Sequence, residues 1–226
     1  MKIAQISNGG TKIRTRFAPS PTGFLHIGGL RTALFNYLWA RQNKGEFILR
    51  IEDTDQTRYV EGATEKLIET LRQMSLEADG KIEQQSNRLE LYKKTSNSLI
   101  KKGLAYYCFC PSQRLETLRK KQQANKQVPK YDNHCRGLSD DEIKQKLSQG
   151  EQYVIRFKIP ENQIIKAEDL VYGNIFVKSQ DLDDFIILKS DGYPTYHLAH
   201  IIDDHDMKIS HVIRGEEWLP SLPKHI

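Results

Sequence analysis

Apolar and polar residues alternate along Lys12–Ala18 (KIRTRFA), the period of a strand, before Pro19 and Pro21 end the run. Gly23, Gly28 and Gly29 follow in a loop where the backbone can be approached closely. From Leu30 to Gln42 the period changes, and Leu30, Ala33, Leu34, Tyr37 and Leu38 define one helical face. Glu46–Ile51 (EFILRI) is then a short apolar run of the kind found in fully buried parallel strands. Glu52, Asp53 and Asp55 stand at its carboxyl end, where open α/β sheets bind ligands. Strand, glycine-rich loop, helix and strand in this order predict a unit whose helix start, with its free N–H groups, faces a phosphate.

Helical spacing returns in Glu61–Met74, with Ala63, Leu67, Ile68 and Leu71 inward, and in Asn87–Lys102, with Leu89, Tyr92, Ser96 and Leu99 inward and Gly103 as the stop. Ala105–Cys110 is strand-like, and Pro111 and Ser112 open a basic helix near Gln113–Gln123. A helix over Ser139–Leu147 carries a capping box, Ser139 with Glu142. Gln152–Ile159 alternates as a half-exposed strand, and Ile164–Ser179 is a hairpin turning at Tyr172, Gly173 and Asn174. Phe185–Leu188 is a buried strand, Thr195–Met207 a helix and Lys208–Arg214 a last strand. The simplest account is an α/β parallel sheet split by an inserted mixed α+β segment. The expected division is a flexible tail over 1–11, a core half over 12–85, an insertion over 86–188 and a second core half over 189–226.

Charge sharpens this division. The chain of 226 residues carries a net +5, and 38% hydrophobic with 28% charged residues is a globular balance. Ser86–Gly150 holds 14 Lys and Arg against 6 Asp and Glu, so the remainder is net acidic. A basic module that meets a polyanion is the corresponding reading. No apolar run approaches the roughly 20 residues of a membrane span, and MKIAQISNGG lacks the apolar stretch of a signal peptide, so a cytoplasmic, membrane-free protein is expected.

Several polar groups fall where ligands would. His26 lies in the glycine-rich loop at the helix start, able to donate to phosphate while Gly28 and Gly29 keep side chains away. Arg16, Ser20, Glu52, Tyr196 and Arg214 stand at predicted strand or helix ends. An amino-acid ligand needs cations for its carboxylates and an acceptor for its ammonium, which these could supply; ordinary ion pairing of Arg16 and Arg214 with local acids is the alternative. Cys108, Cys110 and Cys135 offer three thiolates of a tetrahedral Zn²⁺ site. The fourth ligand is open between Tyr131 and His134, and three reduced, buried cysteines are the other possibility. Asp203, Asp204, His205 and Asp206 are consecutive and point in different directions, which favours ion pairs and active-site contacts over a metal. Arg114, Arg119, Lys120, Lys121, Lys126, Lys130 and Arg136 form a basic run suited to phosphates.

Three long blocks carry a resemblance: RFAPSPTGFLHIGGLRTALFNYL, FILRIEDTDQTRYVEGA and ILKSDGYPTYHLAHIIDDHDM, the last followed by HVIRGEEWL. In this order they resemble the catalytic domain of the glutamyl-tRNA synthetases, class I aminoacyl-tRNA synthetases, over nearly the whole chain after residue 11. The resemblance implies a Rossmann core split by an insertion that holds the acceptor end of tRNA(Glu). It implies ATP and Mg²⁺, activation of L-glutamate and transfer to tRNA(Glu). His26, Gly28 and Gly29 match the ATP-binding signature, with Gly29 where its final His stands, and His26 and Gly29 are the positions implied to be catalytic. Arg16, Ala18, Ser20, Glu52, Tyr196 and Arg214 match the glutamate pocket, Arg214 facing the side-chain carboxylate. Cys108, Cys110 and Cys135 match the zinc-binding members; Gly137 stands where some members have His, which raises Tyr131 as fourth ligand.

The family's second ATP signature, a KMSKS-like lysine loop, and its anticodon-binding part are not among these residues. The expectation is therefore an N-terminal catalytic fragment, ending within a helix, that binds glutamate and adenylates poorly. A glutamyl-queuosine tRNA(Asp) synthetase is the runner-up, against which Thr54, LRTALFNYLWA and YPTYHLA weigh. A non-catalytic module binding glutamate or an acceptor stem is the alternative of another class.

Overall fold

The computed structural model describes residues 2–5 and 12–226, and the chain divides into two units. The first comprises Met1–Leu89, Lys166–Phe176 and Ala199–Ile226, the second Glu90–Ile165 and Val177–Leu198. The insertion expected over 86–188 is thus met by a unit with different limits, and residues 166–176 group with the first unit.

In the first unit, β1 (Lys2–Gln5) pairs antiparallel with the last strand, where a loose tail over 1–11 was expected; the other residues of that tail lie outside the described ones. β2 (Arg14–Phe17) and β3 (Glu46–Ile51) pair in parallel, Arg16 opposite Ile48. Parallel neighbours need a crossover, and α1 (Ile27–Gln42) supplies it. α2 (Ala63–Gln73) returns the chain to β4 (Glu83–Gln84), again parallel to β3. Phe17, Phe47, Leu49 and Ile51 from the sheet meet Ala33 and Ala40 of α1 and Leu67 and Leu71 of α2 in one apolar core.

α1 corrects two expectations. It begins at Ile27, three residues earlier than the apolar pattern indicates, because His26 caps it and draws Gly28 and Gly29 into its first turn. Its inward face is Ala33, Asn36 and Ala40, whereas Leu34 and Leu38 are 40% and 52% exposed. Small side chains let the helix lie close on the sheet, and Asn36 fastens it there. Its Nδ2 donates to the Ile213 carbonyl at 3.0 Å, and its own carbonyl accepts from Thr15 Oγ1 at 2.8 Å. Hydropathy alone ranks leucine above such positions.

In the second unit, α3 (Leu89–Lys101) buries Tyr92 and Ser96 and stops at Gly103, whose φ of 70° suits glycine. β5 (Ala105–Cys108) leads to α4 (Ser112–Ala124) and α5 (Asp140–Ser148), whose capping box of Ser139 and Glu142 forms as expected. β6 (Val154–Phe157) is not half-exposed. It runs between β5 and a later strand, so Ile155 and Arg156 are both buried. β7 (Ile164–Asp169) and β8 (Gly173–Lys178) make the expected hairpin, whose residues 166–176 group with the first unit, and the Asp169 carboxylate accepts from the N–H groups of Val171 and Tyr172 at its turn. β9 (Ile186–Leu188) completes the β5–β6–β9 sheet.

α6 (Tyr196–Asp206) follows, then β10 (His211–Arg214), the strand that receives β1. Glu216–Lys224 is a 3₁₀ segment rather than an α-helix, since Pro220 and Pro223 lie within it and lack donors. No helix among the described residues is long and apolar enough to cross a membrane.

Candidate functional site

The loop after β2 carries Ala18 and Ser20 and ends at His26. Glu52 N–H donates to the Pro19 carbonyl at 2.9 Å, so this loop is tied to the end of β3. His26 is exposed, and its Nδ1 accepts from Gly28 N–H at 3.1 Å. Nδ1 is therefore the acceptor nitrogen, and Nε2 carries the proton as an outward donor. A Cβ on Gly28 would come within 2.8 Å of the His26 ring, so that glycine preserves the cap. The first turn of α1 contains no acid, which leaves the positive end of the helix unneutralised.

Behind the carboxyl end of the sheet lies a buried charge network. Arg50 is fully buried; its Nη1 donates to Asp204 Oδ1 at 2.7 Å and its Nη2 to Glu52 Oε1 at 2.9 Å. Arg16 Nε donates to the same Asp204 Oδ1 at 3.1 Å. Asp203 accepts from Gln85 at 2.7 Å and from Arg88 at 2.8 Å. Burial by itself would raise the Asp204 carboxyl, but Arg16, then His200 and Arg50, overcome it and hold that group well below the usual carboxylate range. At Glu52 the balance reverses: burial keeps the carboxyl above its ordinary value despite Arg50.

Two atoms of this network stay available. Among the described residues, Arg16 Nη1 and Glu52 Oε2 have no hydrogen-bond partner, and neither is sealed from solvent. One is a fixed cationic donor and the other a fixed anionic acceptor. Together they can take the carboxylate and ammonium of a zwitterion.

The structure thus brings Arg16 and Glu52 into one network, with Ala18 and Ser20 on the adjoining loop. Arg214 ends β10, its guanidinium 5.9 Å from the Trp218 ring, and lines a small cavity with Asp169, Gly215, Trp218 and Leu222. Tyr196 belongs to the second unit, its ring edge-on to His197. Arg50 and His200 escaped assignment from the sequence as site residues, whereas Asp204 stood in the acidic run read for ion pairs and active-site contacts. The available signal was Arg50 itself, a lone charge inside an apolar strand that requires partners.

In the second unit, Cys108, Cys110 and Cys135 converge, their sulfurs all within 4.8 Å and none in a disulfide. Cys110 and Cys135 sulfurs are 3.6 Å apart. Zn–S bonds of about 2.3 Å at tetrahedral angles place sulfurs roughly 3.8 Å apart, so the Cys110–Cys135 spacing suits such a site. Tyr131 Oη is 3.3 Å from Cys108 Sγ and 3.6 Å from Cys110 Sγ, and accepts from Cys135 N–H at 3.0 Å. His134 is exposed. Burial pushes the Cys110 thiol up to about 12, while hydrogen bonding with Tyr131 and with the Cys110 backbone, together with Arg156, outweighs burial at Cys108 and lowers it.

The basic run divides. Arg119, Lys121 and Lys126 are exposed, and Lys120 is paired with Glu116. Arg114 pairs with Asp132, Lys130 donates to the Gln180 carbonyl and Arg136 is held by Asp184, so these three serve the unit's own structure.

A parallel sheet, a crossover helix capped at a glycine-rich loop and polar groups at the strands' carboxyl ends define a Rossmann-like fold. Residues 12–226 match the model of the catalytic domain of the class I tRNA synthetases for E and Q, and the chain belongs to that family. It is 50% identical over 234 residues to the glutamate–tRNA ligase of Finegoldia magna, covering 96% of this chain and 48% of that protein. Against the glutamate–tRNA ligase of Treponema denticola the identity is 52% over 224 residues, covering 95% and 44%. A glutamate tRNA ligase from Elizabethkingia meningosepticum, solved in complex with its amino acid, superposes with a TM-score of 0.90 at 44% identity, covering 95% of this chain and 46% of that one. The chain spans about half the length of the curated relatives it matches.

Proposed function

We propose that this chain carries the catalytic domain of a glutamate–tRNA ligase, which activates L-glutamate with ATP and passes it to tRNA(Glu) in the cytoplasm. The observation that carries the reading is the pair of available atoms on Arg16 and Glu52, fixed by one buried network and complementary to an amino acid's carboxylate and ammonium. In this reading Ala18 and Ser20 line the backbone side of the ligand, and Arg214 takes the side-chain carboxylate. His26 Nε2 and the N–H groups at Gly28 and Gly29 meet the ATP phosphates.

The chemistry asks little covalent work of the protein. A carboxylate oxygen of glutamate bonds to the α-phosphorus of ATP, the α–β phosphoanhydride bond breaks, and pyrophosphate leaves. The terminal ribose hydroxyl of the tRNA then attacks the acyl carbon, and AMP departs. His26 and the α1 terminus stabilise charge developing on phosphate, and the Arg16–Glu52 cage orients the attacking carboxylate. Mg²⁺ would supply charge neutralisation on the phosphates.

Residues 86–188 are the proposed acceptor-binding insertion, with Arg119, Lys121 and Lys126 outward for phosphates. Cys108, Cys110, Cys135 and Tyr131 would hold Zn²⁺, a crosslink fixing the start of α4. The test of the reading is glutamate-induced thermal stabilisation. Arg214→Ala is expected to abolish it, and unchanged stabilisation would remove Arg214 from the pocket.

A further inference from the structure

His200 is buried on α6, one turn before Asp204. Its Nδ1 lies 3.5 Å from Arg16 Nη2, 3.4 Å from Arg50 Nη2 and 3.3 Å from Asp204 Oδ2. Guanidinium groups only donate. An imidazole nitrogen between two of them is useful as an acceptor, which places the ring proton on Nε2. Asp204 Oδ2, sealed from solvent and 3.3 Å from Nδ1, makes no hydrogen bond with it in this geometry.

The surroundings hold this state. Arg16 reaches His200 from β2 and Arg50 from β3, Asp204 faces it from its own helix, and the His225 ring lies 4.8 Å from its own. A protonated His200 would set a third cation against two guanidiniums. Burial first, then Arg16, His225 and Arg50, keep the imidazole well below its ordinary value, against the pull of Asp204.

We infer that His200 is a positioning residue for the amino-acid site: as a neutral, Nε2-protonated imidazole it accepts from Arg16 Nη2 and, with Asp204 on Nε, fixes the guanidinium so that Nη1 is left as donor for the ligand carboxylate. The identity of that ligand rests on the glutamate reading above; the tautomer does not. Asp204 and His200 thereby hold two edges of one cation, and Glu52 completes the cage through Arg50.

The test uses the whole 226-residue chain with His200→Asn and His200→Leu. Asn offers an acceptor near the Nδ1 position without a titrating ring, and Leu offers none. L-Glutamate affinity is expected to fall on the order of tenfold or more in His200→Leu, the loss of a hydrogen bond to a charged group, and to stay near that of the parent in His200→Asn. Because the ring is held neutral, lowering the pH from 7.5 to 5.5 should weaken glutamate binding no more in the parent than in His200→Asn, and a steeper loss in the parent would count against the inference. Equal affinity in parent and His200→Leu, or an equal loss in both variants, would overturn the inference.

Nitrogen-15 NMR of the parent's His200 supplies the independent readout, expected to show a neutral ring protonated on Nε2 at pH 7. A charged ring or an Nδ1 proton would overturn the inference even with glutamate binding intact. If the parent binds no glutamate, the functional reading fails, and the NMR result alone decides the positioning role. If His200→Leu does not fold, the Asn variant's pH profile and the NMR result decide it.

Discussion

A fully buried arginine in an apolar strand survives only where anions meet it, and Arg50 meets Glu52 and Asp204 directly, with Asp203 at 3.7 Å. Removing one member of such a buried set typically costs about 3–5 kcal/mol, so these residues hold the fold as well as the site. Acid should therefore attack the protein here. Asp204 is depressed in the folded state, and Asp79 is lowered by its hydrogen bond from Arg41. A carboxyl lowered by folding stabilises above its unfolded value of about 3.9 and loses that contribution as pH falls through the folded value. Stability to denaturant is expected to drop steadily below about pH 4, and Asp204→Asn should flatten the drop; an unchanged acid limb in the variant would contradict the role of Asp204. From the sequence, Glu52 and Arg16 were legible because they stand at strand ends beside a glycine-rich loop. His200 was not, and the partner of Asp204 was not, since groups 150 or more residues from Arg50 are chosen by the packing of α6.

Among elements, the legible ones carry a single strong signal. α2 shows its apolar stripe, α5 its capping box and β3 an uninterrupted apolar run, and each forms about where the pattern places it. α1 and β6 were misread because burial there is decided by neighbours. A close-lying sheet selects Ala33, Asn36 and Ala40, and a central position between two strands buries Arg156, which stacks 3.8 Å over the Tyr131 ring. The segment from β5 to Cys135 shows the same principle. Cys135 is far in sequence from Cys108 and Cys110, yet the three sulfurs converge within 4.8 Å, and Tyr106, Cys108, Tyr131 and Cys135 form a small apolar cluster there. Metal analysis is expected to find about one zinc per chain, lost together with thermal stability in Cys110→Ser. A metal-free protein of equal stability would return the three thiols to ordinary packing.

At the scale of the molecule, the chain interleaves two units. The groups proposed for amino acid and phosphate, apart from Tyr196, lie on the first, and the three cysteines and the exposed Arg119, Lys121 and Lys126 lie on the second. The uneven charge along the chain made that division visible, although it could not show that residues 166–176 return to the first unit, where Tyr172 Oη donates to Glu216 at 3.3 Å. The account turns on a cage for a zwitterion with a second, anionic end. Its most direct test is the melting temperature of the chain titrated with L-glutamate, L-glutamine and glutarate. L-Glutamate alone should raise it progressively, since glutamine gives Arg214 no carboxylate and glutarate gives Glu52 no ammonium. No rise with L-glutamate, or an equal rise with glutarate, would contradict the cage.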